Sequence, residues 1–160
     1  MSVMAGTCFR CGMFVVSELK SADIERAYPV ARLINPRLSL ADWRSYVAFH
    51  CRCGNCGLLA AASPSQVIFG PAAWWIRPNL GSELILWSGP LVAVEPAAPG
   101  QVHEALAAAL SETARERGCD AVYVVQPGDA PGSPLPHLDF IWYGAVLQRR
   151  LSDATKDAAE

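Results

Sequence analysis

The chain has 160 residues, of which 52% are apolar, and carries 13 basic and 15 acidic side chains. This size allows one globular domain with a substantial core and is too short for two ordinary domains. The nearly balanced charge gives no reason to expect nucleic acid or an acidic membrane as a partner. The apolar runs are far shorter than the roughly twenty residues of a membrane span, and the start, MSVMAGTCFRCG, is unlike a signal peptide. We therefore expect a cytoplasmic protein.

A strand and two helices are predicted for the N-terminal part of the chain. Residues 13–18 (MFVVSE) contain side chains that suit a buried strand. Ser21 can cap a first helix, in which Pro29 must kink the backbone or remove a hydrogen bond. Ser39, with Asp42 three residues later, resembles a capping box and predicts the start of a second helix.

The remaining predicted elements are three strands, one helix and two further strands. Short turn-forming connections between the three strands predict antiparallel neighbours. Gly118 ends the helix, and four prolines within residues 127–136 exclude a regular helix there. We expect one domain over residues 13–151, between an extension at 1–12 and a polar tail at 152–160. The predicted bounds are 57–62, 69–77 and 83–95 for the three strands, 101–117 for the helix, and 121–125 and 140–151 for the last strands.

The stretch from Leu84 to Val125 reads as a strand, a Pro/Gly loop, an amphipathic helix and a second strand. Its length suits a right-handed crossover between parallel strands. In such a unit the loop presents the amides of a helix N-terminus, which attract anions such as phosphate. This stretch therefore favours a phosphorylated cofactor, although the loop by itself does not define one.

Three segments resemble the GNAT acyltransferases. Residues 22–47 (ADIERAYPVARLINPRLSLADWRSYV) resemble the first two helices of that family, 90–96 (PLVAVEP) the fourth strand, and 105–124 (ALAAALSETARERGCDAVYV) the helix and strand that follow. The resemblance implies an α/β (α+β) fold with a mixed, mostly antiparallel sheet flanked by helices, in the order strand–helix–helix–three strands–helix–strand–strand. It also implies an N-acyltransferase that uses acetyl-CoA, or another acyl-CoA, to acylate an unidentified amine on a small molecule or peptide.

The resemblance also places the cofactor. In the family, the fourth strand pairs its backbone with the pantetheine arm, and the next turn closes on the pyrophosphate. The match in that turn is incomplete, because Ala98, Gln101 and His103 stand where the family has Arg or Gln, Gly, and Gly or Ala. Pro99 lacks an N–H, and Gly100 lies one position early. The implied cofactor-binding residues are Leu91, Val92, Ala93, Val94, Pro99, Gly100, Gln101, Val102 and His103.

Candidate catalytic groups are few. The proline-rich loop stands where the family has a fourth helix bearing a tyrosine that protonates the leaving thiolate, and Tyr143 is the nearest tyrosine to it in the sequence. Glu95 or Glu83 could act as the base that takes a proton from the attacking amine. Because of these departures, an alternative is a catalytically inactive GNAT-fold protein with a binding or regulatory role, which a cysteine-bound zinc could stabilise.

Two cysteine pairs have the spacing of a metal knuckle. In each pair two residues separate the cysteines and a glycine follows the second one; the pairs are Cys8 with Cys11 and Cys53 with Cys56. Together the four thiolates could hold one zinc. The alternative is ordinary reduced cysteines, since a strand and two helices separate the pairs. A third interpretation is a cysteine nucleophile, Cys51, Cys53 or Cys56, with His50 as its base, although no oxyanion feature supports it.

The tryptophans pose a separate question. Trp74, Trp75 and Trp87 fall on neighbouring predicted strands, and adjacent residues of a strand point to opposite faces. One member of the Trp74–Trp75 pair must therefore point away from the core. It could line a substrate groove, form a homodimer interface or pack under the N-terminal helices.

Overall fold

The computed structural model describes residues 9–11, 13–94 and 100–125. Within these ranges, six strands form one sheet in the order β1-β2-β3-β4-β5-β6. All pairs of neighbouring strands are antiparallel except β5 and β6, which are parallel. The predicted mixed, mostly antiparallel sheet is therefore confirmed. The strands are β1 (Phe9–Cys11), β2 (Phe14–Glu18), β3 (Cys56–Ala62), β4 (Ile68–Pro78), β5 (Leu84–Ser88) and β6 (Ala121–Val124).

Three α-helices, α1 (Ile24–Ala31), α2 (Leu40–Arg52) and α3 (Gln101–Glu116), flank this sheet. A 3-10 turn over Ser21–Asp23 precedes α1, and the N-cap of α1 is Asp23, so the cap predicted at Ser21 is wrong. The predicted cap of α2 is present, because the Ser39 hydroxyl accepts a hydrogen bond from the amide of Asp42 at 3.1 Å. None of the helices in the described ranges is long and apolar enough to cross a membrane.

The helices cover opposite faces of the sheet. Alternation along each strand sends one set of apolar side chains towards α3 and the other towards α1 and α2. The two resulting cores hold the sheet between the helices. The core under α3 includes Val16, Leu59, Trp74, Leu86, Leu106 and Leu110. The core under α1 and α2 includes Ala27, Trp43, Val47, Leu58, Ala60 and Ala73.

Trp74 explains the glycine that follows the second cysteine pair. Its side chain is 1% exposed, and a Cβ atom added at Gly57 would lie 2.7 Å from the Cζ2 atom of the indole. The Arg117 guanidinium lies over the indole at 5.4 Å from its centroid. Gly57 is thus required by the packing of a buried ring, and a metal knuckle is not needed to account for it.

Two differences from the predicted elements affect the site. Residues 9–11 lie in the predicted extension, yet they pair with β2 as a short strand. The strand predicted at 83–95 ends at Ser88, and residues 89–94 lie outside the regular ladder. Pro90 has no N–H to donate to such a ladder. The predicted last strand at 140–151 and the tail at 152–160 lie outside the described residues.

Candidate functional site

The ladder between the parallel strands β5 and β6 can be followed to the end of the described part of β6. Their last paired residues are Ser88 and Val124. One further hydrogen bond joins the amide of Val125 to the carbonyl of Ser88 at 2.9 Å. We call the point beyond this bond the strand split.

After the split, residues 89–94 stay with β4. The amide of Gly89 donates to the carbonyl of Ala73 at 3.0 Å, and the amide of Val94 donates to the carbonyl of Phe69 at 2.7 Å. These two bonds anchor the segment at both ends. It therefore remains attached to β4 after the last described bond to β6.

The middle of this segment has unused backbone groups. Within the described ranges, no backbone hydrogen bond uses the amides of Leu91, Val92 or Ala93. The Leu91 side chain is buried in the core under α3, whereas Val92 and Ala93 are partly exposed. Unpaired amides along an anchored, extended edge can pair with a ligand that itself carries amide groups.

Ser88 holds the start of the split and was not identified from the sequence. Its side chain is fully buried, and its hydroxyl donates to the carbonyl of Ala73 at 3.0 Å. The same carbonyl accepts the amide of Gly89, so two consecutive residues are tied to one atom of β4. The signal in the sequence was a single hydroxyl within the apolar strand LILWS, directly before Gly-Pro.

The N-terminus of α3 lies beside this segment. A Cβ atom at Gly70 would lie 2.5 Å from the carbonyl oxygen of Val92 and 3.1 Å from Cγ1 of Val102. Gly70 therefore brings the segment after the split and the first turn of α3 together on one side of β4. Helix N-termini carry partial positive charge, which makes this side of the split suitable for an anion.

Gly100 forms the N-cap of α3 in a left-handed conformation, with φ of 91°. Its carbonyl accepts the amide of Glu104 at 2.8 Å, which begins the helix. Val102 is buried in the core, so only its backbone can face a ligand, while Gln101 is exposed and His103 partly exposed. Pro99 lies outside the described residues.

Of the predicted catalytic groups, only Glu83 falls within the described ranges. It lies just before β5, at the end opposite the split. Six residues of extended chain separate Glu83 from the split, which corresponds to about 20 Å. Its carboxylate accepts a hydrogen bond from Asn79 Nδ2 at 2.5 Å within an exposed turn. The geometry therefore does not bring Glu83 to the split. Glu95 and Tyr143 lie outside the described residues.

The described cysteines do not support the predicted four-cysteine zinc site. Cys53 and Cys56 are joined by a disulfide, which differs both from a zinc site and from the alternative of ordinary reduced cysteines. Cys11 pairs opposite Phe14, near the end of β3 that carries Ala62, so it lies about 20 Å along the sheet from Cys56. No group of three metal-ligating side chains occurs in the described ranges. This register does not support one zinc bound by both pairs, and Cys8 lies outside the described residues.

The other candidate cysteine chemistry finds little support. His50 is buried, and its Nδ1 lies 3.0 Å from the carbonyl of Tyr46 within the same helix. Burial raises the pKa of the Tyr46 hydroxyl. Burial also raises the pKa of the Cys119 thiol, with a further contribution from the Asp120 carboxylate. A thiol with a raised pKa is a poorer nucleophile because less of it is ionised.

Solved structures share this architecture. A transcriptional regulator from Bacillus halodurans C-125 superposes with a TM-score of 0.76 at 16% identity, over 86% of this chain and 99% of its own. A GNAT family acetyltransferase from Staphylococcus aureus superposes with a TM-score of 0.68 at 13% identity, over 87% of this chain and 99% of its own. An aminoglycoside N-acetyltransferase in complex with CoA superposes with a TM-score of 0.67 at 14% identity, over 94% of this chain and 99% of its own. No protein-family model and no curated protein matches the sequence.

These likenesses, together with the strand order and the strand split, define the class of fold. The chain has the GNAT fold. The resemblance seen in the three sequence segments is therefore confirmed at the level of architecture.

Proposed function

We propose that this protein is an acyl-CoA-dependent N-acyltransferase that transfers the acetyl group of acetyl-CoA to an amine. The observation that carries the proposal is the strand split, at which an anchored segment presents unused amides beside the N-terminus of α3. The structure of an aminoglycoside N-acetyltransferase with the same fold holds CoA. A general acetyltransferase function fits both the fold and this geometry.

In this proposal the chain acts mainly by binding and orienting. The amides of Val92 and Ala93 hydrogen-bond to the pantetheine arm, and the first turn of α3 faces the pyrophosphate. The amine then attacks the thioester carbonyl, a C–N bond forms, the C–S bond breaks, and CoA leaves as the thiol after taking up a proton. Holding both reactants in line supplies most of the rate enhancement.

Which residues act as the general base and the general acid remains a prediction. Glu95 follows the segment that leaves the split, and its position in the sequence keeps it as the candidate base. Tyr143 remains the candidate acid for the leaving thiolate. A matched pair of variants, Glu95→Gln and Glu83→Gln, separates the two glutamates by activity. The proposal expects a large loss of kcat for Glu95→Gln and an unchanged kcat for Glu83→Gln.

Calorimetric titration tests the proposal directly. Acetyl-CoA and CoA are added to the purified protein, with adenosine as the control ligand that lacks the pyrophosphate and the pantetheine arm. We expect both CoA compounds to bind, and to raise the melting temperature by mass action, while adenosine binds at least ten times more weakly. Absence of any binding at millimolar acetyl-CoA would contradict the proposal.

The alternative is a GNAT-fold protein with a binding or regulatory role and no catalysis. One observation favours it: His103 places an imidazole in the first turn of α3, where the family has a small residue beside the phosphate. The same titration distinguishes the two functions when an assay of thiol release accompanies it. Binding of CoA without release of thiol from acetyl-CoA, across a panel of primary amines, supports the alternative.

A further inference from the structure

Three aromatic side chains form one row across the sheet. Trp75 of β4 pairs with Trp87 of β5, and Trp87 pairs with Tyr123 of β6. Residues directly opposite each other on neighbouring strands place their side chains on the same face. Trp74 lies on the other face, in the core under α3. We call Trp75, Trp87 and Tyr123 the aromatic row.

The aromatic row is not part of either core. All three side chains are partly exposed, and none of them is among the described residues that pack against the core under α1 and α2 or the core under α3. The rings of Trp87 and Tyr123 meet edge to face, with centroids 4.9 Å apart. This contact fixes two rings as a rigid apolar surface.

The row lies directly before the strand split. Trp87 and Tyr123 immediately precede Ser88 and Val124, the last pair of the parallel ladder. The core under α3 lies on the opposite face, so the N-terminus of that helix and the aromatic row are on different sides of the sheet. The row therefore lies beside the start of the segment to which we assign the pantetheine arm, on the face opposite α3.

We propose that the aromatic row binds the acceptor, and that the acceptor is an arylalkylamine, an amine joined through a short chain to an aromatic ring. This inference rests on the proposed acyltransferase function. The ring of the ligand packs against Trp75 and Trp87, and its ammonium group is attracted to the faces of the indoles before it loses a proton. The row thus selects for a ring as well as for an amine.

The first test compares acceptors. Release of CoA thiol is measured with 2-phenylethylamine and with n-butylamine, which has the amine but no ring. We expect a kcat/KM about ten times higher for 2-phenylethylamine, equivalent to about 1.4 kcal/mol. Trp87→Leu should abolish this preference, and Trp87→Phe should retain most of it. Leu80→Ala, in the fully exposed turn before β5, should change neither rate.

The second test does not depend on catalysis. Saturation-transfer NMR measures binding of 2-phenylethylamine to the protein alone and with CoA, and melting curves confirm that each variant is folded. Binding that is lost in Trp87→Leu and kept in Trp87→Phe supports the row, even if acetyl-CoA does not bind and the proposed function fails. If acetyl-CoA binds but 2-phenylethylamine neither binds nor reacts faster than n-butylamine, the inference is overturned and the proposed function stands.

A homodimer interface is the competing use of the same surface. Sedimentation of the wild type and of Trp87→Phe and Trp87→Leu measures it. A dimer that Trp87→Leu converts to a monomer, together with no binding of 2-phenylethylamine, would overturn the inference in favour of an interface.

Discussion

The hydroxyl of Ser88 donates to the carbonyl of Ala73 at 3.0 Å, across the boundary between β5 and β4. The same carbonyl accepts the amide of Gly89 at 3.0 Å. This pair of bonds fixes the residue at which β5 stops following β6. The end of β5 is therefore tied to β4 by one buried hydroxyl and one backbone amide.

Replacement of Ser88 by alanine should lower the free energy of unfolding by about 1 kcal/mol, since one buried hydrogen bond is lost and the carbonyl keeps its second donor. The melting temperature should fall by about 2–4 °C. Ser111→Ala is the matched control, because the Ser111 hydroxyl donates to a carbonyl of its own helix and alanine favours a helix. Equal melting temperatures for the two variants would contradict this role of Ser88.

Replacement of Gly70 by alanine should damage the split itself. The new Cβ atom would lie 2.5 Å from the carbonyl oxygen of Val92, so the segment after the split must move. We expect a loss of about 1–3 kcal/mol in stability and weaker binding of CoA by calorimetry. Gly54→Ala is the control, since no heavy atom lies within 4 Å of its Cβ position. CoA affinity equal to that of the wild type would show that this segment does not contact the ligand.

Gly100 and Gly118 provide a matched pair at the two ends of α3. Both adopt positive φ, 91° and 67°, so alanine at either position should cost about 1 kcal/mol. Only Gly100→Ala alters the turn that presents the first amides of the helix. Calorimetry should therefore show weaker CoA binding for Gly100→Ala and unchanged binding for Gly118→Ala. The same affinity for both variants would argue against a phosphate at this end of the helix.

The described cysteines should differ in their rates of alkylation. Cys51 is an exposed free thiol, whereas the pKa of Cys119 is raised by burial. A raised pKa leaves less thiolate at a given pH, so at pH 8 iodoacetamide should modify Cys51 first, and modification of Cys119 should accelerate only at higher pH. Peptide mass spectrometry should show Cys53 and Cys56 unmodified until a reductant is added. Their rapid modification without reductant would contradict the disulfide.

Much of the fold could be predicted from local sequence signals. Ser39 and Asp42 marked the start of α2, and the short turns between strands marked antiparallel neighbours, because capping and turn chemistry act over a few residues. The short strand β1 (Phe9–Cys11) was missed, since three residues are too few to carry a periodic signal. The end of β5 was placed too late, because Leu91 to Val94 are as apolar as the strand before them.

The site depended on information that the sequence does not contain. The adjacent positions of Trp74 and Trp75 indicated that one of the two side chains points away from the core. Only the strand register places Trp75, Trp87 and Tyr123 in one row. Register is set by pairing across the whole sheet, and a shift of one residue would send each side chain to the other face. For the cysteine pairs, the antiparallel order already argued against one shared zinc, and the register places Cys11 and Cys56 at opposite ends of the sheet.

Hydrogen exchange at the segment after the split tests the central claim most directly. Exchange of the amides of Leu91, Val92 and Ala93 is measured by NMR with and without saturating CoA. We predict that exchange at Val92 and Ala93 slows by at least tenfold when CoA is bound, because these amides then donate to the pantetheine arm. Bound CoA that leaves exchange at all three amides unchanged would contradict it and place the ligand elsewhere on the protein.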